Sequence, residues 1–180
     1  VAGVTKTQGY ENYTDSPVND VPAHAVCVVT VGGVAQTIAQ TIADNKTPGT
    51  NPAGNAGPYA CTDAQGMPIN IYYSVAVTAE IQATVNLTPG TGWSSDYESL
   101  IQNAVAAAID ALPIGSIVSY AALYIPAFLL NTPAYGTFAI TSITIGKNSG
   151  MQSATDITLA VGLNAENPVC NASVDVTVNT

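Results

Sequence analysis

The 180-residue chain is 47% apolar and only 8% charged, which excludes a disordered polypeptide, since disordered chains are poor in apolar residues and rich in charge. Its carboxylates number twelve against Lys6, Lys46 and Lys147, with no arginine, for a net charge of −9; such a chain repels polyanions, so DNA, RNA and anionic membranes are excluded as direct partners. A chain of this length buries about 70% of its unfolded surface, enough for one domain or two small packed ones without disulfide staples.

Residues 1–24 are rich in turn formers (Gly9, Asn12, Asp15, Pro17, Asn19, Pro22) and read as an arm leading into the domain. The run AVCVVTV at 25–31 is β-branched and almost continuously apolar, as expected of a strand covered on both faces, and Gly32-Gly33 ends it. Val34, Ile38, Ala39 and Ile42 then recur at helical spacing, with Gln36, Gln40 and Asp44 on the other side. Lys46 marks the end of that helix, and the Gly/Pro/Asn-rich stretch 47–58 reads as a long loop, either mobile or held by a neighbour. A hairpin is expected over 59–73, with Gly66 as its positive-φ turn residue.

Next comes a long strand in which Ile81, Ala83, Val85 and Leu87 alternate with polar residues. Ser95 and Glu98 have the spacing of a capping box, opening a helix whose apolar stripe is Leu100, Ile101, Ala104, Val105, Ala108, Ile109 and Leu112. Pro113 and Gly115 stop it. Ser119 is a candidate cap for a short helix through Leu123, and Pro126 is expected to hold Ile125 extended and break the segment. The remainder reads as strands at 137–145, 156–161 and 172–178. The expected fold class is α+β: mixed β-sheets with two main amphipathic helices, strand-helix-hairpin modules followed by a β-rich C-terminal part. The boundaries are an arm over 1–24, a first strand-helix-hairpin module over 25–76, and a second strand-helix-strands module over 77–180, packed as two small domains or one.

No run of eighteen apolar residues occurs, and Pro126 interrupts the longest apolar stretch, Tyr120 to Leu130. The chain opens on Val1 with no basic n-region or apolar h-region, which is expected of a piece of a longer protein.

Residues suited to chemistry are sparse. His24, the single histidine, has no cysteine or carboxylate at metal-ligand spacing and reads as a satisfied or exposed side chain. Gly32-Gly33 before a helix lacks the third glycine and the lysine of a phosphate site. Asp96 and Glu98 fall in a helical first turn, where carboxylates favour the helix dipole, and Asp63, Asp156 and Glu166 lack the dense oxygen alternation of calcium loops. Cys27, Cys61 and Cys170 match no zinc spacing; they read as buried small hydrophobes, with one disulfide plus a free thiol as the alternative. Trp93, Tyr120, Tyr124 and Phe128 read as core, with an interface role as the rival. Asn12, Asn86 and Asn171 each open an Asn-x-Ser/Thr triplet, an acceptor only in a eukaryotic secretory pathway. The expectation is no catalytic, cofactor-binding or metal-binding residue, no cofactor, and no enzyme activity.

The succession VPAHAVCVVTVGGVAQTIAQTIADNKTPG, a glycine-containing loop at 54–57 and CTDAQGMPINIYYS resembles the baseplate J-like family of phage tail proteins. The likeness continues through LTPGTGWSSDYESLIQNAVAAAIDALPIGSIVSYAAL, where Leu112, Ile114, Gly115, Val118, Tyr120 and Leu123 match the family's L-x-I-G-x-x-V-x-Y-x-x-L segment, and through the closing strands to about residue 178. The resemblance implies the C-terminal region of a wedge protein of a contractile-tail baseplate, in a phage or phage-like particle assembled in a bacterial host. Its implied partners are other baseplate wedge and tail proteins, with self-association open, and no nucleic acid or membrane. It carries no catalytic residues, and the family's upstream segments are missing. From composition alone, the rival is a secreted adhesin-like or carbohydrate-binding β-rich module.

Overall fold

The computed structural model describes all residues, Val1–Thr180. Eleven strands occur in chain order with four α-helices and two short 3-10 turns. They are β1 (Val4–Asn12), β2 (Ala25–Gly32), α1 (Ala35–Asn45), β3 (Asn51–Ala53), β4 (Ala56–Thr62), β5 (Pro68–Val75), β6 (Val77–Pro89), α2 (Asp96–Asp110), β7 (Ile117–Val118), α3 (Tyr124–Ala127), β8 (Phe138–Lys147), β9 (Ile157–Thr158), β10 (Glu166–Val169), α4 (Ala172–Asp175) and β11 (Val176–Asn179). With 41% strand and 22% helix in several mixed sheets and a β-rich C-terminal part, the fold class is α+β.

The chain forms two compact units. Unit 1 is Val1–Val77 with Pro113–Gly115 and Ala160–Asn167; unit 2 is Thr78–Leu112, Ser116–Leu159 and Pro168–Thr180. Residues 113–115 and 160–167, assigned from sequence to the second module, thus belong to unit 1. The reason is burial: Ile114 and Ala165 complete a cluster with Val21, Ala25, Cys27, Val29 and Ala53. Periodicity along the chain carries no signal for such a return.

In unit 1 the sheet order is β1-β2-β5-β4, with β3 also pairing β2. β1 runs antiparallel to β2, whereas β3 and β5 run parallel to it, at Ala25–Cys27 and at Val29–Thr30 respectively. The sequence reading of 1–24 as an entry arm is corrected over Val4–Asn12, which forms β1. β1 escaped it because an edge strand needs only weak apolar alternation, and here half-buried Val4, Lys6, Gln8 and Tyr10 alternate with exposed neighbours. The expected loop 47–58 contains β3 and the start of β4. It is held where the chain passes Tyr73: a Cβ at Gly54 would lie 2.0 Å from the Tyr73 carbonyl carbon, so only glycine fits.

β2 is buried at Ala25, Cys27 and Val29 on one face and at Thr30 on the other, where Val26 and Val28 are half-buried, so the expected cover on both faces is fuller on the first. Against the other face lies α1, whose Ala39 and Ala43 pack on Cys61 of β4 and Ile71 of β5. The apolar spacing foresaw Ile38 and Ala39, but Val34 sits at the N-cap, 64% exposed. Gln36 and Gln40, expected to face solvent, instead donate from Nε2 to the carbonyls of Ala60 (2.8 Å) and Thr62 (2.7 Å), and Gln40 Oε1 accepts from Thr62 N. The hairpin β4–β5 closes at Asp63–Gly66, where Gly66 has φ +83° and Asp63 Oδ1 accepts from the amides of Gln65 and Met67.

Unit 2 is built on β6, which pairs antiparallel with β8 and parallel with β11, and which β10 also joins. Ala79, Ile81, Ala83, Val85 and Leu87 all point into its core, as the alternation requires. Helix α2 covers that face with Ile101, Val105, Ala106 and Ile109, while Leu100 is 44% exposed. The expected capping box does not form: Ser95 is helical at φ −60°, and Ser94 Oγ accepts from Asp96 N instead, at 3.3 Å. Pro126 does not break its segment either. It lies in the first turn of α3, where a missing N–H goes unneeded, and Ile125 is helical beside it. Ser119 caps nothing; Tyr120 precedes the 3-10 turn Ala121–Leu123. Residues 172–175, expected as strand, are the single turn α4, because Asn171 accepts from Ser173 N and Asp175 reaches back to Asn171 N (2.7 Å). This local bonding overrides the Val174–Val176–Val178 alternation.

Candidate functional site: an apolar cleft on the first unit

Helix α1 is too short to cover the whole face of the unit 1 sheet. It packs on the β4–β5 side and leaves the β1–β2 side open, forming a cleft of about 670 Å³. Across the β1–β2 ladder Gly9 faces Val28 and Glu11 faces Val26, so all four residues share this face as its floor. Ile42, Thr41, Asn45 and Lys46 form the helical wall, and Thr47, Thr50 and Pro52 the rim. A Cβ on Gly9 would meet nothing within 4 Å, so the glycine keeps the floor open.

Within this lining Glu11 and Lys46 are the two charged residues. The rim hydroxyls of Thr47 and Thr50 bond to each other, Thr41 Oγ1 donates to Thr37 O, and Asn45 Nδ2 donates to Thr41 O. Val26, Val28 and Gly9 keep most of this floor apolar, Glu11 sets one carboxylate in it, and the rim carries fixed polar groups, the make-up of a binding surface.

On the opposite face of the same strands lies a buried polar knot. Cys27 Sγ donates to Ser74 Oγ (3.3 Å), which donates to Leu163 O (2.6 Å) and accepts from Asn55 N (3.2 Å). Burial pushes the Cys27 thiol up, so it stays a protonated donor there. Tyr10 is raised as well, by desolvation. All three cysteines are free and buried. Cys170, in unit 2, is pushed up to about 12 by burial, with Asp175 and Asp110 adding to the effect.

The residues singled out from sequence do not converge. His24 Nε2 lies 2.9 Å from Asp15 Oδ1 in a surface pair, the two side chains 64% and 98% exposed. Asp96 and Glu98 sit in the first turn of α2, Asp63 closes its hairpin turn, Asp156 accepts from Tyr120 N, and Glu166 accepts from Ala160 N. No group of three or more His, Cys, Asp or Glu side chains is placed to hold a metal ion. No helix is long and apolar enough to cross a membrane.

Trp93 packs edge-on against Phe138 (5.3 Å) and Tyr97 (5.8 Å), and Trp93, Tyr120 and Tyr124 all line the unit 2 core. Phe128 lies 6.4 Å from Tyr124. The three triplet asparagines are engaged internally. Asn12, 3% exposed, donates to the carbonyls of Ser16, Val21 and Pro22 and accepts from Thr14; Asn86 bonds Ser142 and Asn179; Asn171 caps α4. The cleft itself was not foreseen from sequence. The signal that could have found it is Gly9 in an otherwise strand-compatible stretch, since a strand glycine often marks a close backbone approach or an open floor.

The chain is thus an α+β protein of two units with an apolar cleft on the first. No protein-family model matches it, and no curated protein sequence matches it.

Proposed function

We propose that the chain is a structural component of a contractile-tail baseplate, part of a wedge protein that acts through protein–protein contacts in assembly and in triggering the sheath. The observation that carries this reading is the ordered resemblance over residues 10–178. The stretches that carry it fall on successive elements: VCVVTVGG on β2 and the residue after it, IAQTI in α1, TDAQG at the β4–β5 turn, and LPIGSIV from just after α2 into β7. Low charge supports it too, because surfaces destined for burial between subunits are depleted in charge at their centres.

An exposed cleft with an apolar floor, and side chains spent on turns and caps, fit a part that holds geometry. A carbohydrate-binding module would need a concave aromatic platform, and the cleft lining has Tyr10 as its one aromatic residue. The test is genomic and biochemical. Genes for sheath, tube and spike proteins should neighbour this one, and the protein should co-purify with its neighbours' wedge products after co-expression. Neighbouring genes for cell-wall anchoring, or failure to assemble with those neighbours, would overturn the reading.

A further inference from the structure

The two edges of the unit 1 sheet are finished differently. At β4 the outward carbonyls of Ala60 and Thr62 are taken by Gln36 and Gln40 of α1. β1, nine residues long, pairs only with β2. In β2 the Thr30 carbonyl points toward β5, where it accepts from Ala76 N at 3.0 Å. Backbone groups alternate in direction along a strand, so Val29 and Cys27 turn theirs to β1 and meet Gln8 and Tyr10. That leaves the amides and carbonyls of Thr7, Gly9 and Glu11 pointing outward, on three residues that are all exposed. One of these groups, Gly9 O, accepts a 3.3 Å bond from the neighbouring Gln8 side chain. No proline or covering helix blunts this edge, as natural edge strands are commonly blunted.

We propose that β1 is a docking strand: an extended segment of another protein adds to its outer edge and lays alternate apolar side chains against the adjoining cleft. Two independent features coincide here, a row of outward backbone groups that supplies affinity and an apolar floor beside it that reads every second side chain. Gly9 stands where they meet and offers no side chain to obstruct either. Charge selects the occupant. The chain carries −9, and Glu11 presents its carboxylate on the cleft side of the docking strand, so the segment bears a lysine or arginine as its cross-strand neighbour. The inference rests on unit 1 alone and stands apart from the baseplate reading.

The test uses the full chain and a short synthetic peptide whose every second residue, on the cleft side, is valine except for one lysine placed opposite Glu11, with threonine between; glutamate replaces that lysine in a second peptide. Binding of the lysine peptide should slow hydrogen exchange at Thr7, Gly9 and Glu11 and leave the β4 amides unchanged. Thr7→Pro removes an outward N–H that the β1–β2 ladder does not use, and should weaken binding by about tenfold, the worth of one backbone hydrogen bond. Glu11→Lys should reverse the preference between the two peptides, which keeps the proposal testable should the proline variant misfold. Equal affinity of both peptides for the native chain, protection appearing away from β1, or no binding at all would overturn it. So would a concentration-dependent dimer abolished by Thr7→Pro, which would give the edge to a second copy.

Discussion

Unit 2 gathers its apolar side chains into one cluster of twenty buried residues, whereas unit 1 divides its own between clusters of seven and four on the two faces of its sheet. The difference traces to the helices. Fifteen-residue α2 packs Ile101, Val105 and Ile109 into one cluster with the inward side chains of thirteen-residue β6; eleven-residue α1 covers part of a wider sheet and leaves the cleft. A unit with a single closed core is suited to supplying rigidity, and one with a half-covered sheet to supplying a surface that something else completes.

Deep truncations in unit 2 should therefore have the largest effect. Ile143→Ala removes a fully buried side chain from the single cluster and should lower stability by roughly 2–5 kcal/mol in urea unfolding. Ile42→Ala, on the half-buried cleft wall, should lie well below that; equal losses would show that the cleft is as tightly packed as the closed core. Between them falls Asn12→Ala in unit 1. It strips partners from the carbonyls of Ser16, Val21 and Pro22 and should cost about 1–3 kcal/mol, measured the same way. A glycan at Asn12 would be equally incompatible with that buried amide.

Smaller in stability but distinct in kind is the loss of the edge caps. Gln36→Ala with Gln40→Ala should remove about 1–2 kcal/mol and, by freeing the Ala60 and Thr62 carbonyls, make the protein self-associate, as read by sedimentation. If the double variant stays monomeric at the same concentrations, these glutamines do not guard the β4 edge.

The contrast between units also marks how far the sequence could be read. Long periodic segments were plain: β6 shows strict alternation and α2 a single stripe, because each buries one face against a continuous core. Unit 1 was harder. β1 has Lys6 and Gln8 at two of its half-buried positions, β3 is three residues long with Pro52 in its middle, and Ile114 and Ala165 join the cluster from far along the chain. Caps misled in both directions. Ser95 and Glu98 have the right spacing but Ser95 is already helical, whereas Asn171 caps a turn where valine alternation suggested strand. The cleft is an absence of cover, and no residue pattern announces where a helix stops short. Gly9 alone hinted at it.

Alkaline titration probes both units through a buried titratable group in each. Burial and the neighbouring Asp175 and Asp110 carboxylates push the Cys170 thiol up to about 12 in unit 2, and burial with the adjacent Tyr59 pushes the Tyr73 phenol up to about 12 in unit 1. Both groups are neutral in the fold and ionise more readily once unfolded, near 9.0 for the thiol and 10.0 for the phenol. The folded chain thus holds protons that the unfolded chain releases, so their contribution is complete below pH 9 and is lost as pH rises from there toward 12. Thermal midpoints should fall across that window. Cys170→Ala should flatten the fall from its lower end and Tyr73→Phe from about pH 10; an unchanged slope in both variants would mean that neither group governs the alkaline limit.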